Sequence, residues 1–177
     1  MEKAMTYFLD FDRTLFDTDS FLVYLGERLE IAPLLSLSRE ERSRVLGEAL
    51  TEGRITFAPG ELSQFVYADV PEFLRAAGNE AVIVTYGDET IQKAKIESAF
   101  AGIPRISALY IGFTHKGEFL KERYLRYGSS PVFTDDLPSE LEGVTAYCPS
   151  MKLYEMRRDG KEGDGRWPVI RSLSDLP

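Results

Sequence analysis

Apolar positions along this chain follow two rhythms. Tyr7-Phe8-Leu9, Ala81-Val82-Ile83-Val84, Ile106 to Ile111 and Pro131-Val132-Phe133-Thr134 are short, nearly unbroken apolar runs. Such runs are expected of strands covered on both faces. Val144-Thr145-Ala146-Tyr147 reads as a fifth strand, and Leu153 to Arg157 alternates like an edge strand. Elsewhere the apolar residues recur every three or four positions, the period of a helix face. Phe21, Leu22, Leu25 and Leu29 form one such face, with Ser20 as its N-cap and Ala32-Pro33 as its break. Ser38 and Glu41 make a capping box for a helix carrying Val45, Leu46, Ala49 and Leu50, which Gly53 ends. Pro59-Gly60-Glu61 opens a shorter helix with Leu62, Phe65 and Val66. Asp69 caps a helix with Phe73 and Leu74 that stops at Ala77-Gly78. Further helices are expected after Asp88, with Ile91, Ala94, Ile96, Ala99 and Phe100, and over residues 116–126.

Strands alternating with helices imply an α/β fold: a Rossmann-like, mainly parallel sheet of about five strands flanked by helices. Residues 1–15 and 69–177 then form the core, and residues 16–68 a small helical insertion. The polar tract Asp159 to Gly165 reads as a solvated loop, because its acids lack the spacing of a calcium loop. Trp167 to Leu173 is expected to return and pack on the sheet, with Trp167 as a packing aromatic.

A length of 177 residues suits one core with a modest insertion, and 44% apolar with 28% charged residues suits a globular protein in water. The formal charge of −8 argues against nucleic acid and against an anionic membrane surface as partners. Cys148 and His115 are the single cysteine and histidine, which removes intrachain disulfides and His-rich metal sites. The start runs directly into the first strand and no apolar run nears membrane length, so a cytoplasmic location is expected. No obligate protein partner is implied.

Candidate chemistry gathers at strand ends. Asp10 and Asp12 follow the first apolar run, two positions apart, so in extended chain they point the same way. Like charges that close repel and call for a cation. Thr85 ends the second run just before a helix, where a hydroxyl beside helix-start N–H groups binds a phosphate oxygen or simply caps the helix. Asp135-Asp136 ends another run. Together these acids would bring up to four negative charges to one crevice, a burden that Mg²⁺ relieves.

Asp10-Phe11-Asp12-Arg13-Thr14-Leu15, followed in order by Thr85, a lysine and Asp135-Asp136, resembles the motif set of the haloacid dehalogenase (HAD) superfamily of phosphohydrolases. The resemblance implies Asp10 as nucleophile and Asp12 as general acid and base. It implies Mg²⁺ held by Asp10, the Asp12 carbonyl and one or both of Asp135 and Asp136. Thr14, Arg13, Tyr86 and Gly87 fall at the substrate side of the motifs. Arg13 departs from a glycine often found there, and solvent, helical insertion and substrate are all open to it. The lysine is taken as Lys116, which begins a helix and is followed by Gly117 as in the family's lysine motif; Lys121, in mid-helix and more easily on a solvated face, is the alternative. The insertion corresponds to a helical cap, on which Arg28, Arg39, Arg42, Arg44 and Arg54 mostly suit solvated faces. In that family, dehalogenases lack an acid at the position of Asp12, so its presence favours phosphate chemistry. The implied activity is Mg²⁺-dependent hydrolysis of a small phosphorylated metabolite through an aspartyl-phosphate. Phosphomutase or phosphotransferase activity, or a non-catalytic phospho-ligand or protein-binding module, are the alternatives.

Overall fold

A computed structural model of the protein describes residues 5–30, 33–76, 80–103, 106–112, 114–124 and 131–177. Its strands are β1 (Thr6–Leu9), β2 (Glu80–Tyr86), β3 (Ser107–Ile111), β4 (Val132–Asp135), β5 (Lys152–Met156) and β6 (Val169–Ile170). They form one sheet in the order β3-β2-β1-β4-β5-β6, and every neighbouring pair is parallel. The chain builds outward from β1 through β2 to β3, then crosses to β4 on the other side. The C-terminal edge of β1 and β4 is therefore the switch point, where ligands bind in open α/β sheets.

Helices cover both faces because each parallel connection must cross over the sheet. Successive residues of β1 point to opposite faces. Leu9 joins Ile83, Val70 and Leu74 on one side, while Phe8 joins Phe133, Leu120, Leu141 and Val144 on the other. The first face is covered by α3 (Val70–Arg75) and α4 (Glu89–Ala99), the second by α5 (Lys116–Tyr124) and α6 (Pro138–Tyr147). No helix among the described residues is long and apolar enough to cross a membrane.

Two strand assignments change. Val144 to Tyr147 ends α6 instead of forming a strand. Pro138 opens that helix at its first turn, and Leu141, Val144 and Cys148 then bury one helical face. This periodicity outweighs the local β-propensity of Val-Thr-Ala-Tyr. The tail supplies two strands in its place. The alternating run expected at the edge is β5, inside the sheet, because the returning segment adds β6 outside it.

Between β1 and α3 lie α1 (Thr18–Arg28), α2 (Arg39–Thr51) and 3₁₀ turns at Leu34–Ser36 and Glu61–Phe65. Asp17, not Ser20, caps α1: its carboxylate accepts from the Ser20 N–H at 3.1 Å and the Ser20 hydroxyl at 2.7 Å. A carboxylate at the N-cap also meets the positive end of the helix dipole. The Ser38–Glu41 capping box forms with both reciprocal bonds. The stretch after Pro59 makes a 3₁₀ turn rather than an α-helix. Asp69 precedes α3 without capping it; its carboxylate instead holds Arg158, the Ser172 hydroxyl and the Leu173 N–H. Arg158 in turn donates to the Thr14 carbonyl at 3.0 Å, tying the tail to the loop after β1. The expected stop at Ala77-Gly78 and residues 125 and 126 lie outside the described residues.

Aromatic rings join the helical segment to the core. Phe11 stacks on Phe16 at 4.9 Å, Phe16 meets Phe21 at 5.3 Å, and Phe21 meets Phe65 at 5.8 Å. Each such pair adds about 0.5–1.5 kcal/mol beyond its burial.

Gly117 shows how α5 is seated. A methyl group there would stand 2.3 Å from the Gly143 carbonyl oxygen of α6. Only hydrogen fits, so the two helix backbones touch and hold the first turn of α5, including Lys116, against the sheet. Gly117→Ala is expected to lower unfolding free energy by about 1–3 kcal/mol, the usual range for overpacking. Urea denaturation checks this; unchanged stability would show that α5 shifts freely.

Candidate active site

Three strand ends converge at the switch point. Asp10 follows β1, Thr85 lies in β2 and Asp135 ends β4. The Asp10 N–H donates to the Thr134 carbonyl at 3.0 Å, so pairing of β1 with β4 sets the two acids side by side. Lys116, the first residue of α5, reaches both: its Nζ donates to Asp10 Oδ1 and, at 2.7 Å, to Asp135 Oδ2. All three side chains are buried. Lys121 points elsewhere, with its ammonium 5.6 Å from the Tyr147 ring. His115, beside Lys116, is exposed and faces Glu140 at 3.3 Å. Glu140 also accepts from the Lys116 N–H at 2.9 Å, which fixes the start of α5.

One ammonium cannot balance the carboxylates here. Burial works against the Lys116 charge, but Asp10 and Asp135 outweigh it and raise its pKa. Asp10 is raised well above the carboxylate range, by burial first and by Asp135 and Asp136 after it, against the pull of Lys116. Burial likewise raises Asp135. Asp136 is pushed up to about 7, by burial and then by Asp135. One oxygen from each of Asp10, Asp135 and Asp136 lies within 4.8 Å of the others. Asp10 Oδ2 is buried without a partner among the described residues. Three carboxylate oxygens this close form an all-oxygen cluster that fits a hard divalent cation such as Mg²⁺.

Asp12 stands apart from that cluster. Its Oδ1 accepts from Lys95 at 2.5 Å and Thr18 at 2.6 Å, and its Oδ2 from Gln92 at 2.9 Å. Burial pushes its pKa up, but the Lys95 ammonium and these bonds bring it down to about 2. The ammonium also sits 5.0, 5.3 and 5.5 Å from the rings of Phe11, Phe16 and Phe21. One ion pair and three aromatic rings thus surround this buried lysine. Sequence reading missed Lys95 and Gln92. Their spacing of three places both on one face of α4, yet nothing local marks that face as facing Asp12.

The remaining expected residues separate. Thr85 is buried, lines the cavity and leaves its hydroxyl without a partner among the described residues. Tyr86 and Gly87 line the same cavity. Gly87 has φ 136° and Arg13 has φ 62°, a left-handed conformation that costs an L-residue about 1–2 kcal/mol. That explains why glycine suits the Arg13 position. Arg13 lines the cavity rim and is bound to Asp19 of α1 at 2.7 Å. Thr14 is fully buried off the cavity wall, its hydroxyl also without a described partner. The cavity measures about 310 Å³. Asp10, Lys116 and Asp136 line it from the sheet edge, and Phe21, Leu22, Arg42 and Leu46 from the helical segment.

The raised carboxylates fix a sign for pH. Asp136 at about 7 binds a proton in the folded state that it releases near pH 4 when unfolded. Its contribution is present at low pH and lost as pH rises through about 7. Asp12 near 2 has the opposite sign, but changes only below pH 4. Metal-free protein should therefore melt higher at pH 5.5 than at pH 7.5. Mg²⁺ should raise the melting temperature more at pH 7.5, because protons and metal compete for the same oxygens. Asp136→Asn should flatten both trends. Thermal melts with EDTA or Mg²⁺ test this; a Mg²⁺ shift independent of pH would contradict it.

No protein-family model matches the sequence, and no curated protein does. Among solved structures, the fold is similar to a haloacid dehalogenase-like hydrolase from Burkholderia xenovorans LB400. The TM-score is 0.66 and the identity 20%, over 97% of this chain and 94% of that one. A dehalogenase matches at TM-score 0.65 and 14% identity, over 99% and 96% of the two chains. The HAD-hydrolase YfnB from Bacillus subtilis, solved bound to magnesium, matches at TM-score 0.61 and 16% identity, over 99% and 97%. Each likeness runs the length of both chains, so the chain has the fold of the haloacid dehalogenase-like hydrolases.

Proposed function

We propose that the protein is a HAD-superfamily hydrolase that cleaves small phosphomonoesters with Mg²⁺ through an aspartyl-phosphate on Asp10. One observation carries the reading. A buried carboxylate, Asp10, is bound on one oxygen by Lys116 and, among the described residues, unpartnered on the other, in a cluster with Asp135 and Asp136. That is a nucleophile with its orienting cation in place and its reactive oxygen free.

Asp10, Asp135 and Asp136 would hold the metal, with the Asp12 carbonyl by resemblance; magnesium in YfnB supports this choice. The ion would neutralise the acids so that a phosphate dianion can approach. Asp10 Oδ2 attacks phosphorus and the ester oxygen leaves. Lys116 holds Asp10 in line and offsets charge on the transferring group, and the free Thr85 hydroxyl donates to a phosphoryl oxygen. Asp12 protonates the leaving oxygen, then takes a proton from the water that hydrolyses the acyl phosphate. Held by Lys95, Thr18 and Gln92, Asp12 is a carboxylate, the form the second step needs. The first step requires its protonated carboxyl to turn from Lys95 toward the leaving oxygen. The helical segment would act as a cap that closes the cavity and keeps water from the first step.

Asp10→Asn should abolish Mg²⁺-dependent turnover across a panel of phosphate esters while the melting temperature stays near that of wild type. Lys116→Ala should lower kcat/KM by about 10²–10³, in line with loss of a charge clamp on the transition state. Lys121→Ala should change it less than about twofold. Steady-state kinetics with one good ester, before and after EDTA, measure all three. Undiminished turnover in Asp10→Asn, or in metal-stripped wild type, would refute the reading.

A further inference from the structure

Four basic side chains line the cavity, and three are neutralised from within the protein. Lys116 is held by Asp10 and Asp135, Lys95 by Asp12, and Arg13 by Asp19. The fourth, Arg42, has no hydrogen-bond or ion-pair partner for its guanidinium among the described residues. It is half-buried. On α2, Leu46 lies one turn beyond it on the same face and also lines the cavity, and Ala49 continues that inward stripe. Arg42 therefore belongs to the face of α2 turned toward the site. The other described arginine side chains of this helical segment have partners: Arg28 with Glu61 at 2.6 Å, Arg44 with Glu48 at 3.1 Å, Arg54 with Glu52 at 2.6 Å.

A guanidinium on an inward face normally carries a partner, because removing it from water unpaired is unfavourable. Here a ligand can supply it. The phosphoryl group already has Lys116, Thr85 and the metal-binding carboxylates at the strand ends. The cavity lining also includes the apolar Leu22, Leu46 and Ile91, together with Ser43 and Asp88. Resting on the phosphatase reading, we propose that Arg42 binds a carboxylate at the far end of the substrate, which is then a short-chain phosphomonoester of a hydroxy acid. The planar guanidinium matches a carboxylate with two parallel hydrogen bonds. The apolar wall fits a carbon spacer, and a cavity of about 310 Å³ suits a small substrate.

The test pairs the phosphate ester of 3-hydroxypropanoate with propyl phosphate, equal in length and differing in the carboxylate. Wild-type kcat/KM should favour the acid by at least about 30-fold, the range for a hydrogen bond between charged groups. Arg42→Met, which preserves apolar packing, should shrink the ratio to about threefold or less, and Arg42→Lys should restore part of it. A wild-type ratio near one, or a ratio unchanged in Arg42→Met, overturns the proposal. Calorimetry with 3-phosphonopropanoate and propylphosphonate, in Mg²⁺, reads binding without turnover. If wild type hydrolyses no ester yet binds the phosphonocarboxylate tighter through Arg42, the anion site stands and the phosphatase reading falls. Equal affinity for the two phosphonates in wild type overturns the anion site whatever the kinetics show.

Discussion

The ammonium of Lys116, buried between Asp10 and Asp135, is the contact on which the rest of the molecule depends. Removing that ammonium would leave two buried carboxylates without their counterion, a loss that typically costs about 3–5 kcal/mol. Three strands and two helices are arranged around it. Parallel pairing of β1 with β4 brings the two acids together, and the crossover to β4 delivers α5 beneath them. Gly117 lets α5 touch the backbone of α6, and Glu140 receives the Lys116 N–H, so the lysine starts from a fixed point. Even so the charge stays unbalanced, since Asp136 adds a third carboxylate. The fold holds together an acidic cluster whose repulsion protons or a divalent cation would relieve.

A second ion pair sits one step away, between Lys95 and Asp12, under the rings of Phe11, Phe16 and Phe21. Those rings also join the loop after β1 to α1 and the 3₁₀ turn at Glu61–Phe65. The same aromatic packing thus anchors the helical segment and holds the cation that orients Asp12. Arg13 adds a link on the rim: it accepts a left-handed backbone and spans to Asp19 at the start of α1. The two carboxylates at the end of β1 consequently meet opposite surroundings. Asp10 is raised in a crowd of acids, while Asp12 is lowered by a dedicated lysine. Environments that drive paired acids apart suit them to different roles.

Much of this could be read from residue order. Short apolar runs ending in Asp10, Thr85 and Asp135 mark buried parallel strands with polar ends, and strand pairing does the rest. Lys116 was legible because it opens a helix and precedes a glycine; Lys121, five positions on, lies on another side. What escaped were contacts set by tertiary packing. Lys95 looks like any helix lysine until α4 packs beneath Phe11 and Phe21. Val144 to Tyr147 carries β-branched and aromatic residues, yet only Val144 of the four is buried, against Phe8 and Phe133, in the helical period opened by Pro138. β6 is only two residues long and has no periodicity of its own; it exists because β5 offers an edge. Asp17 caps α1 three positions before Ser20, because its carboxylate accepts from both the N–H and the hydroxyl of Ser20.

The proposed chemistry turns on phosphoryl transfer to Asp10. Acid-quenching the protein within its first turnover of a phosphate ester with Mg²⁺, then sequencing its peptides by mass spectrometry, tests this most directly. An acyl phosphate on Asp10, formed and lost at rates that match turnover, is the expected result. Turnover that proceeds with Asp10 unmodified, or with the phosphoryl group on another residue, would contradict it.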